Sequence, residues 1–295
     1  MSDHPGDGDD LFGRHRSLLF TVAYEMLGSA ADAEDVVQET WLRWAGVDRA
    51  EVREPRAYLV RIVTRQALNR LRSLARRRED YVGEWLPEPL LTSPDVAADV
   101  ELADSVSMAM LTVLETLGPT ERAVFVLREV FDTPYEEIAE AIGKTPAAVR
   151  QIAHRARDHV AARRPRSPVS TTEQERVVDR FLAAVRGGDL QGLLDVLAPD
   201  VVMLADGGGL VAAVRHPIEG ADQVAAFLLK GARRVAFEVT AVWLNGAPAA
   251  RIEIGGALDT VVSLAIEQGS VSRIYAVRNP EKLARLDAVA ALSRG

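Results

Sequence analysis

The helical hairpin at residues 133–162, TPYEEIAEAIGKTPAAVRQIAHRARDHVAA, constrains the fold more than any other stretch of this chain. Gly143 suits the turn between the two helices. Thr145 and Pro146 suit the N-cap and first turn of the second helix, since proline has no N–H to lose there. Helical spacing predicts a buried stripe on the second helix, facing Ile138, Ala139 and Ile142 on the first: Val149, Ile152, Ala153, Ala156 and Val160. The pattern predicts a helix-turn-helix.

The outward face of the second helix carries side chains suited to nucleic acid. Arg150, Gln151 and His154 lie in its N-terminal half, which is the part of a recognition helix that reaches base edges. Arg155 follows, at a position where a cation suits a phosphate. The alternative is an amphipathic hairpin whose basic face is only solvated, so an element outside the hairpin has to decide between the two interpretations.

A second basic helix is predicted from Pro55 to Arg78. Residues 53–78 contain nine arginines and one carboxylate, a local charge of +8 in a chain whose formal net charge is −8. Its apolar positions recur at helical spacing: Leu59, Ile62, Val63, Ala67, Leu71 and Leu74. Its other face carries Arg61, Arg65, Asn69, Arg72 and Arg76. Such a local inversion of charge indicates a polyanionic partner, and DNA is the first to test.

An acidic helix is predicted just upstream, over residues 31–44. Asp32, Glu34 and Asp35 lie in its first turn, where the helix dipole favours negative charge. Val36, Val37, Trp41 and Trp44 are predicted to form its buried side. Glu34, Asp35, Gln38 and Glu39 make one contiguous polar face. An acidic helix before a basic one indicates a protein partner in addition to DNA, with a solvated helix face as the alternative.

Regions 2 and 4 of bacterial extracytoplasmic-function (ECF) sigma factors resemble three stretches that follow one another across residues 10–162: DAEDVVQETWLRW, PRAYLVRIVTRQALNRLRSLARR and LGPTERAVFVLREVFDTPYEEIAEAIGKTPAAVRQIAHRARDHV. The resemblance implies two partners, promoter DNA and the RNA polymerase core with its β′ and β subunits. It also implies that Asp35, Gln38 and Glu39 dock on the clamp helices of the β′ subunit.

The same resemblance assigns DNA contacts to both basic helices. It implies that the loop from Ala45 to Glu54 and the following helix capture and melt the −10 element, through Arg61, Arg65, Asn69, Arg72 and Arg76. Arg65 stands at the −10 base pocket, where many relatives carry asparagine. Arg150, Gln151, His154 and Arg155 would bind the −35 element.

Between these modules, residues 81–104 are predicted to form a linker. Pro87, Pro89 and Pro94 preclude a continuous helix there. Trp85 and Leu86, within the sequence WLPEP, are too apolar for an idle tether. We therefore expect this linker to dock on another part of the protein.

After residue 166 the composition changes to that of a third domain. Thr172 and Glu175 form a capping box that predicts the start of a helix. Six β-rich runs follow a second short helix: VVMLAD, VAAVRHPIEG, RVAFEVTAVWLNG, APAARIEIG, TVVSLAIEQG and VSRIYAVRN. Helices followed by an antiparallel set of strands predict an α+β domain. The predicted domains are thus an all-α region 2 module at 1–80, an all-α region 4 module at 105–166 and this α+β domain at 167–295.

The α+β pattern resembles the SnoaL-like cone. Asp206-Gly207-Gly208-Gly209 and the run from Asn279 to Leu283, together with WLPEP, also resemble the group of sigma factors that carries this C-terminal extension. From these motifs we predict a regulatory contact within one chain, between Trp85, Leu86 and Pro87 on one side and Asp206, Gly207, Gly208 and Gly209 on the other. Cone folds of this kind often hold a pocket, which leaves a small ligand of unidentified kind as a further partner.

The alternative function is a SnoaL-like small-molecule enzyme whose N-terminal half binds DNA and regulates it. Asp206, His216 and Tyr275 are the candidate acid–base groups, and an ordered pair of Asp206 and His216 would favour this alternative. No spacing supplies a partner for any of them, and the glycines more simply permit a sharp turn capped by Asp206. We expect a sigma factor with no catalytic residues.

Composition sets further limits. The chain has no cysteine, and its five histidines show no metal-ligand spacing, so we expect no metal and no cofactor. The N-terminal sequence MSDHPGDGDD is unlike a signal peptide, and no apolar run reaches the ~18 residues that a membrane helix needs. These features predict a cytoplasmic protein without a membrane partner.

Overall fold

The computed structural model describes residues 5–48, 50, 52–78, 81–164 and 169–295, and it divides into two compact units. The first unit joins the described part of Met1–Glu79 to Val113–Arg163 and Ala291–Gly295. The second joins the described part of Asp80–Thr112 and of Arg164–Ala290. The residues of the predicted linker therefore group with those of the C-terminal domain.

The first unit is all-α. Its helices are α1 (Pro5–Leu27), α2 (Ala30–Ala45), α3 (Pro55–Arg78), α6 (Pro119–Phe125), α7 (Tyr135–Ile142) and α8 (Pro146–Ala161), with a π-helical turn at Val126–Val130. Helices α1, α2 and α3 pack against one another, and α3 also packs against α6 and α7. The predicted basic helix from Pro55 to Arg78 is confirmed.

The predicted helix-turn-helix is also confirmed. Gly143 ends α7 in the left-handed conformation, at φ +68°. Thr145 caps α8 by accepting a hydrogen bond from the Ala148 N–H at 3.2 Å, and Pro146 opens the helix. All members of the predicted stripe are buried: Val149, Ile152, Ala153, Ala156 and Val160.

The predicted buried side of α2 is wrong at one residue. Val36, Val37 and Trp44 are buried, but Trp41 is 39% exposed. The buried stripe instead continues through Thr40, whose hydroxyl donates to the Val36 carbonyl at 2.8 Å. A polar threonine is tolerated there because this backbone bond satisfies its hydroxyl.

The second unit is built on a mixed sheet. Its strands are β1 (Leu197–Asp206), β2 (Ile218–Glu219), β3 (Glu238–Leu244), β4 (Ala247–Ile254), β5 (Ala257–Glu267) and β6 (Ser270–Val277). Within the described residues these six form one sheet of order β2-β1-β6-β5-β4-β3. The predicted antiparallel set is wrong at one pair, because β1 runs parallel to β6. The α+β class itself is confirmed.

Helices cover this sheet and precede it. They are α4 (Val100–Val106), α5 (Met108–Leu114), α9 (Thr171–Gly187), α10 (Leu190–Val196), α11 (Ala221–Ala232) and α12 (Pro280–Leu283). The predicted capping box is wrong: α9 begins at Thr171, because Ser170 accepts the hydrogen bond from the Glu173 N–H. The run at 211–220 forms a strand only at its end, at Ile218–Glu219.

Two apolar clusters pack on the sheet. One joins it to α9, α10 and α11, around Phe181, Leu193 and Ile274. The other joins it to Leu86 of the linker and Met108 of α5. The expectation that the linker docks is therefore confirmed, and its docking surface is the sheet. Among the described helices, none has the length and apolar character that crossing a membrane requires.

Candidate nucleic-acid interface and linker junction

The predicted −35 DNA-binding residues of α8 are all exposed. Arg150, Gln151, His154 and Arg155 lie on its outer face, opposite the buried stripe. Arg150 forms an ion pair with Glu136 at 2.9 Å, and the His154 ring lies 2.8 Å from the Asp158 carboxylate. Contacts this exposed contribute at most about 1 kcal/mol, so a DNA phosphate or base can displace them.

The predicted −10 face of α3 is partly covered by helix α7. Arg61 pairs with the Glu140 carboxylate. Arg65 donates to the backbone carbonyls of Glu140 and Ala141, at 2.9 and 3.1 Å. Two of the residues predicted to hold DNA are therefore engaged by the helix-turn-helix, and a sequence separation of more than 70 residues gave no signal of it.

The rest of that face is open where it is described. Asn69 and Arg72 are exposed. The side chain of Arg76 and residues 49 and 51 of the predicted −10 loop lie outside the described residues. A groove of about 410 Å³ runs beside Tyr58 and Arg61, bounded by Val52 and Glu140. Arg61 also lies 5.1 Å from the centre of the Tyr58 ring, a cation–π distance.

The predicted polymerase face of α2 is exposed at Asp35, Gln38 and Glu39. Glu39 accepts a hydrogen bond from Gln66 at 2.7 Å, and Asp35 lies 3.5 Å from Arg70. Leu42, which was not predicted as part of this face, lies one helical turn beyond Gln38 and is 60% exposed. Its spacing from Asp35 and Gln38, at i+7 and i+4, is the signal that would have found it.

A buried arginine ties α6 to α1 within the first unit. Arg122 donates to the Glu25 carbonyl at 2.9 Å and to the Glu115 carboxylate at 2.6 Å. Burial lowers the pKa of Arg122 to about 9, which leaves it charged at neutral pH. This contact was not predicted from the sequence, because arginine on a helix ordinarily indicates an exposed position.

Asp206 is the centre of a junction between the linker and the sheet domain. It is fully buried, at the end of β1. One carboxylate oxygen accepts from the Leu86 N–H at 3.0 Å and from Lys282 at 2.7 Å. The other accepts from the Tyr81 hydroxyl at 2.6 Å and the Gly208 N–H at 2.9 Å. The prediction that Asp206 caps the glycine turn is confirmed.

Lys282 completes the junction. Its ammonium group lies 3.3 Å from the centre of the Trp85 ring and donates to the Leu86 carbonyl. Asn279 donates to the Tyr81 hydroxyl at 3.0 Å and caps α12. Burial, followed by the hydrogen bond to Asp206, raises the pKa of Tyr81, which keeps its hydroxyl protonated. A buried charge pair thus fixes the linker backbone on the domain.

The glycine turn allows the close approach that the sequence predicts. Gly208 and Gly209 have positive φ, at +65° and +71°. A Cβ on Gly208 would lie 2.3 Å from the Asn279 side chain, and one on Gly209 would lie 3.1 Å from Val82. The predicted pair of WLPEP and Asp206–Gly209 is in contact. Tyr81, Asn279 and Lys282 were missed as contact residues.

The enzyme alternative requires an ordered pair of Asp206 and His216, and the structure does not show this pair. Both carboxylate oxygens of Asp206 are committed to the linker junction. His216 lies exposed in the loop before β2, as expected of a loop residue. Among the described residues, no group of three or more histidine or acidic side chains is placed to hold a metal ion.

The fold and these surfaces define a protein of two all-α modules, the second a helix-turn-helix, and an α+β domain built on a mixed sheet of six described strands. The Sigma-70 region 2 family matches residues 11–77, and the Sigma-70 region 4 family matches residues 107–160. The ECF RNA polymerase sigma factor SigJ of Mycobacterium tuberculosis is 42% identical over 218 residues, covering 72% of this chain and 70% of SigJ. The probable ECF sigma factor SigI of the same organism is 35% identical over 272 residues, covering 91% and 92%.

A solved structure leads to the same family. The crystal structure of M. tuberculosis SigJ superposes with a TM-score of 0.75 at 32% identity and covers 94% of this chain and 98% of that one. This chain belongs to the ECF RNA polymerase sigma factors. Sigma factors bind the RNA polymerase core and promoter DNA.

Proposed function

We propose that this protein directs core polymerase to promoters through two DNA-reading surfaces. Arg150, Gln151 and His154 read the −35 element, and Arg155 binds a phosphate there. The face of α3 that carries Arg61, Arg65, Asn69, Arg72 and Arg76 holds and melts the −10 element. The main support for this proposal is the geometry of helix α8. Thr145 caps its N-terminus, and its N-terminal half exposes Arg150 and Gln151 beside each other.

We propose further that α2 binds the β′ subunit through Asp35, Gln38 and Glu39, with β as the second core contact. The support for this surface is its exposure together with the apolar Leu42 in the same stripe. An apolar side chain that follows acidic and amide groups on one helix face suits a basic, partly apolar partner surface.

The second unit, in this proposal, regulates the sigma modules in cis, with Trp85, Leu86 and Pro87 and the turn from Asp206 to Gly209 as the contact through which it acts. The support is the buried ion pair of Asp206 and Lys282, which holds the linker by backbone hydrogen bonds. The same unit binds a small ligand that modulates this regulation.

The test is run-off transcription from promoter fragments by purified core polymerase with the full chain. Arg150→Ala and Gln151→Ala are each expected to weaken binding to the −35 element by about 1 to 3 kcal/mol per lost base contact. Arg180→Ala, which removes an exposed arginine from α9, is the matched control. Equal losses on promoter and random DNA would instead assign Arg150 and Gln151 to phosphates, and no transcription from any fragment would overturn the proposal.

A further inference from the structure

A groove of about 750 Å³ lies in the second unit, on the side of the sheet that carries the linker. One wall comes from α4 and α5, including Asp104 and Met108, and another from the start of α9, including Gln174. Strands β5 and β6 form the floor, with Ser263 and Tyr275. This volume lies within the range of small-molecule sites, which is about 300 to 1,000 Å³.

The floor carries two neighbouring side chains with hydroxyl groups, on residues that are otherwise mostly buried. Ser263 and Tyr275 are direct partners in the antiparallel register of β5 and β6, so their side chains lie on one face. They are 8% and 2% exposed. Across the described part of the chain, neither hydroxyl has a protein hydrogen-bond partner, and both side chains line the groove.

An apolar residue can stand at such a position of the sheet, as Ala265 does two residues beyond Ser263. Hydroxyl groups that open into the groove can instead hydrogen-bond a molecule held there. Two adjacent hydroxyls at the floor of a groove whose lining is mostly apolar are the arrangement of a binding site, in which a few polar groups orient a mostly apolar ligand.

The charges of the groove restrict the ligand further. Asp104 and Arg164 are its charged lining residues, and they pair with each other. Within the described part of the lining, an ionised ligand would therefore meet no free counter-charge, whereas a neutral one fits. Burial raises the pKa of Tyr275, so its hydroxyl stays protonated and acts as a hydrogen-bond donor.

We propose that this groove binds a neutral, largely apolar small molecule with a carbonyl oxygen that accepts hydrogen bonds from Tyr275 and Ser263. The site deepens the proposed function, since it locates the small ligand of the second unit and names its chemical class. It lies on the face of the sheet that the linker covers, and α4 and α5 form part of it.

The test uses the neutral naphthyl ketone dye 6-propionyl-2-(dimethylamino)naphthalene, titrated into the full chain. Its emission shifts to shorter wavelength in apolar surroundings and to longer wavelength when its carbonyl accepts a hydrogen bond. We expect saturable binding at one site with a net shift to shorter wavelength. Tyr275→Phe and Ser263→Ala should each weaken binding about 2- to 10-fold, the effect of one hydrogen bond. The bound dye in Tyr275→Phe should emit at a still shorter wavelength.

Matched controls separate the site from general effects of hydroxyl loss. Tyr24→Phe removes an equally buried hydroxyl from the first unit, and Ser272→Ala removes one from β6 that is bonded to the Ala265 carbonyl. Both should bind the dye as the parent does. Where Tyr275→Phe lowers the melting temperature, Ser263→Ala carries the test.

Non-saturable binding, or equal affinity and emission in the parent, Tyr275→Phe and Ser263→Ala, would overturn the site. Promoter-directed transcription is measured separately. Transcription with no dye site would reject only this groove, and a dye site with no transcription would reject only the proposed function.

Discussion

At the scale of single residues, Lys282 is the side chain on which the linker junction depends most. Its ammonium group is nearly fully buried between the Trp85 ring and the Asp206 carboxylate. A buried charge is tolerated only when a partner and hydrogen bonds replace water, and here the Leu86 carbonyl supplies the further bond. The junction therefore depends on the two charges being present together.

We expect Lys282→Met to lower the free energy of unfolding by about 3 to 5 kcal/mol, because it leaves the Asp206 carboxylate buried without a cation. Asp206→Asn alone should act similarly by stranding the ammonium group. The double variant should recover part of the loss, since no buried charge remains. Urea unfolding followed by tryptophan fluorescence measures all three.

The matched control is the more exposed pair of Arg251 and Glu253, which are 27% and 29% exposed. Its disruption by Glu253→Gln should cost at most about 1 kcal/mol. Strictly additive losses at Lys282 and Asp206 would show that the two charges do not act as a pair.

At the scale of whole elements, local periodicity predicted more than long-range contacts. Helices α3 and α8 follow the sequence prediction because their apolar stripes, proline starts and caps are all local signals. The run at 211–220 was wrongly predicted as β-rich, since it pairs only through Ile218 and Glu219 and is otherwise a loop. An irregular loop that is rich in hydrophobic residues has the same composition as a strand, so composition alone does not distinguish the two.

The contacts of the candidate site also divide into those that local sequence predicts and those that only the fold brings together. The contact between WLPEP and Asp206–Gly209 was predictable because an apolar linker and a glycine turn are each visible in the sequence. The cation of Lys282 over Trp85 was not, since the two are separated by almost 200 residues and only the fold brings them together. The cover of Arg61 and Arg65 by α7 was unpredictable for the same reason.

The packing of α7 on α3 leads to a prediction about DNA. Glu140→Gln should raise the affinity of the chain for a single-stranded −10 oligonucleotide several-fold, because Arg61 loses its carboxylate partner and can bind phosphate. Fluorescence anisotropy of a labelled oligonucleotide measures this. Glu137→Gln removes the same charge from an exposed position of the same helix and is the control for net charge. Equal gains from both variants would mean that Arg61 is not restrained by Glu140.

Helix α2 carries a separate prediction, about the polymerase. Asp35→Lys with Glu39→Lys should abolish association with core polymerase and leave the fold intact, because both side chains are exposed and their partners are exposed or neutral. Co-purification with core polymerase measures association, and circular dichroism measures folding. Glu175→Lys with Asp179→Lys places the same charges at the same spacing on α9 as the control. Unchanged co-purification would reject this face as the docking surface.

At the scale of the whole molecule, the described linker belongs with the second unit. Leu86 and Leu90 are buried in that unit. Helix α5 begins among residues of the second unit and ends among residues of the first. In the proposed regulation, this continuous backbone would carry a change in the linker to the region 4 module.

In the proposed regulation in cis, covalent attachment would set the strength of the effect. A domain on a short linker is present at its target at an effective concentration on the millimolar scale, so even weak contacts act without a dissociable inhibitor. Trp85→Ala removes the ring over Lys282, and Gly208→Val forces a Cβ into the Asn279 side chain. Both loosen one junction, and we expect each to change promoter-dependent run-off transcription in the same direction.

Combined, Trp85→Ala and Gly208→Val should be no worse than the stronger single change, as expected of residues that serve one interface. Leu190→Ala, at an exposed position of the second unit, is the control and should leave transcription unchanged. Purified core polymerase with a saturating amount of each variant measures activity independently of expression. Fully additive effects, or transcription that neither substitution alters, would mean that the C-terminal domain is carried along without regulating the sigma modules.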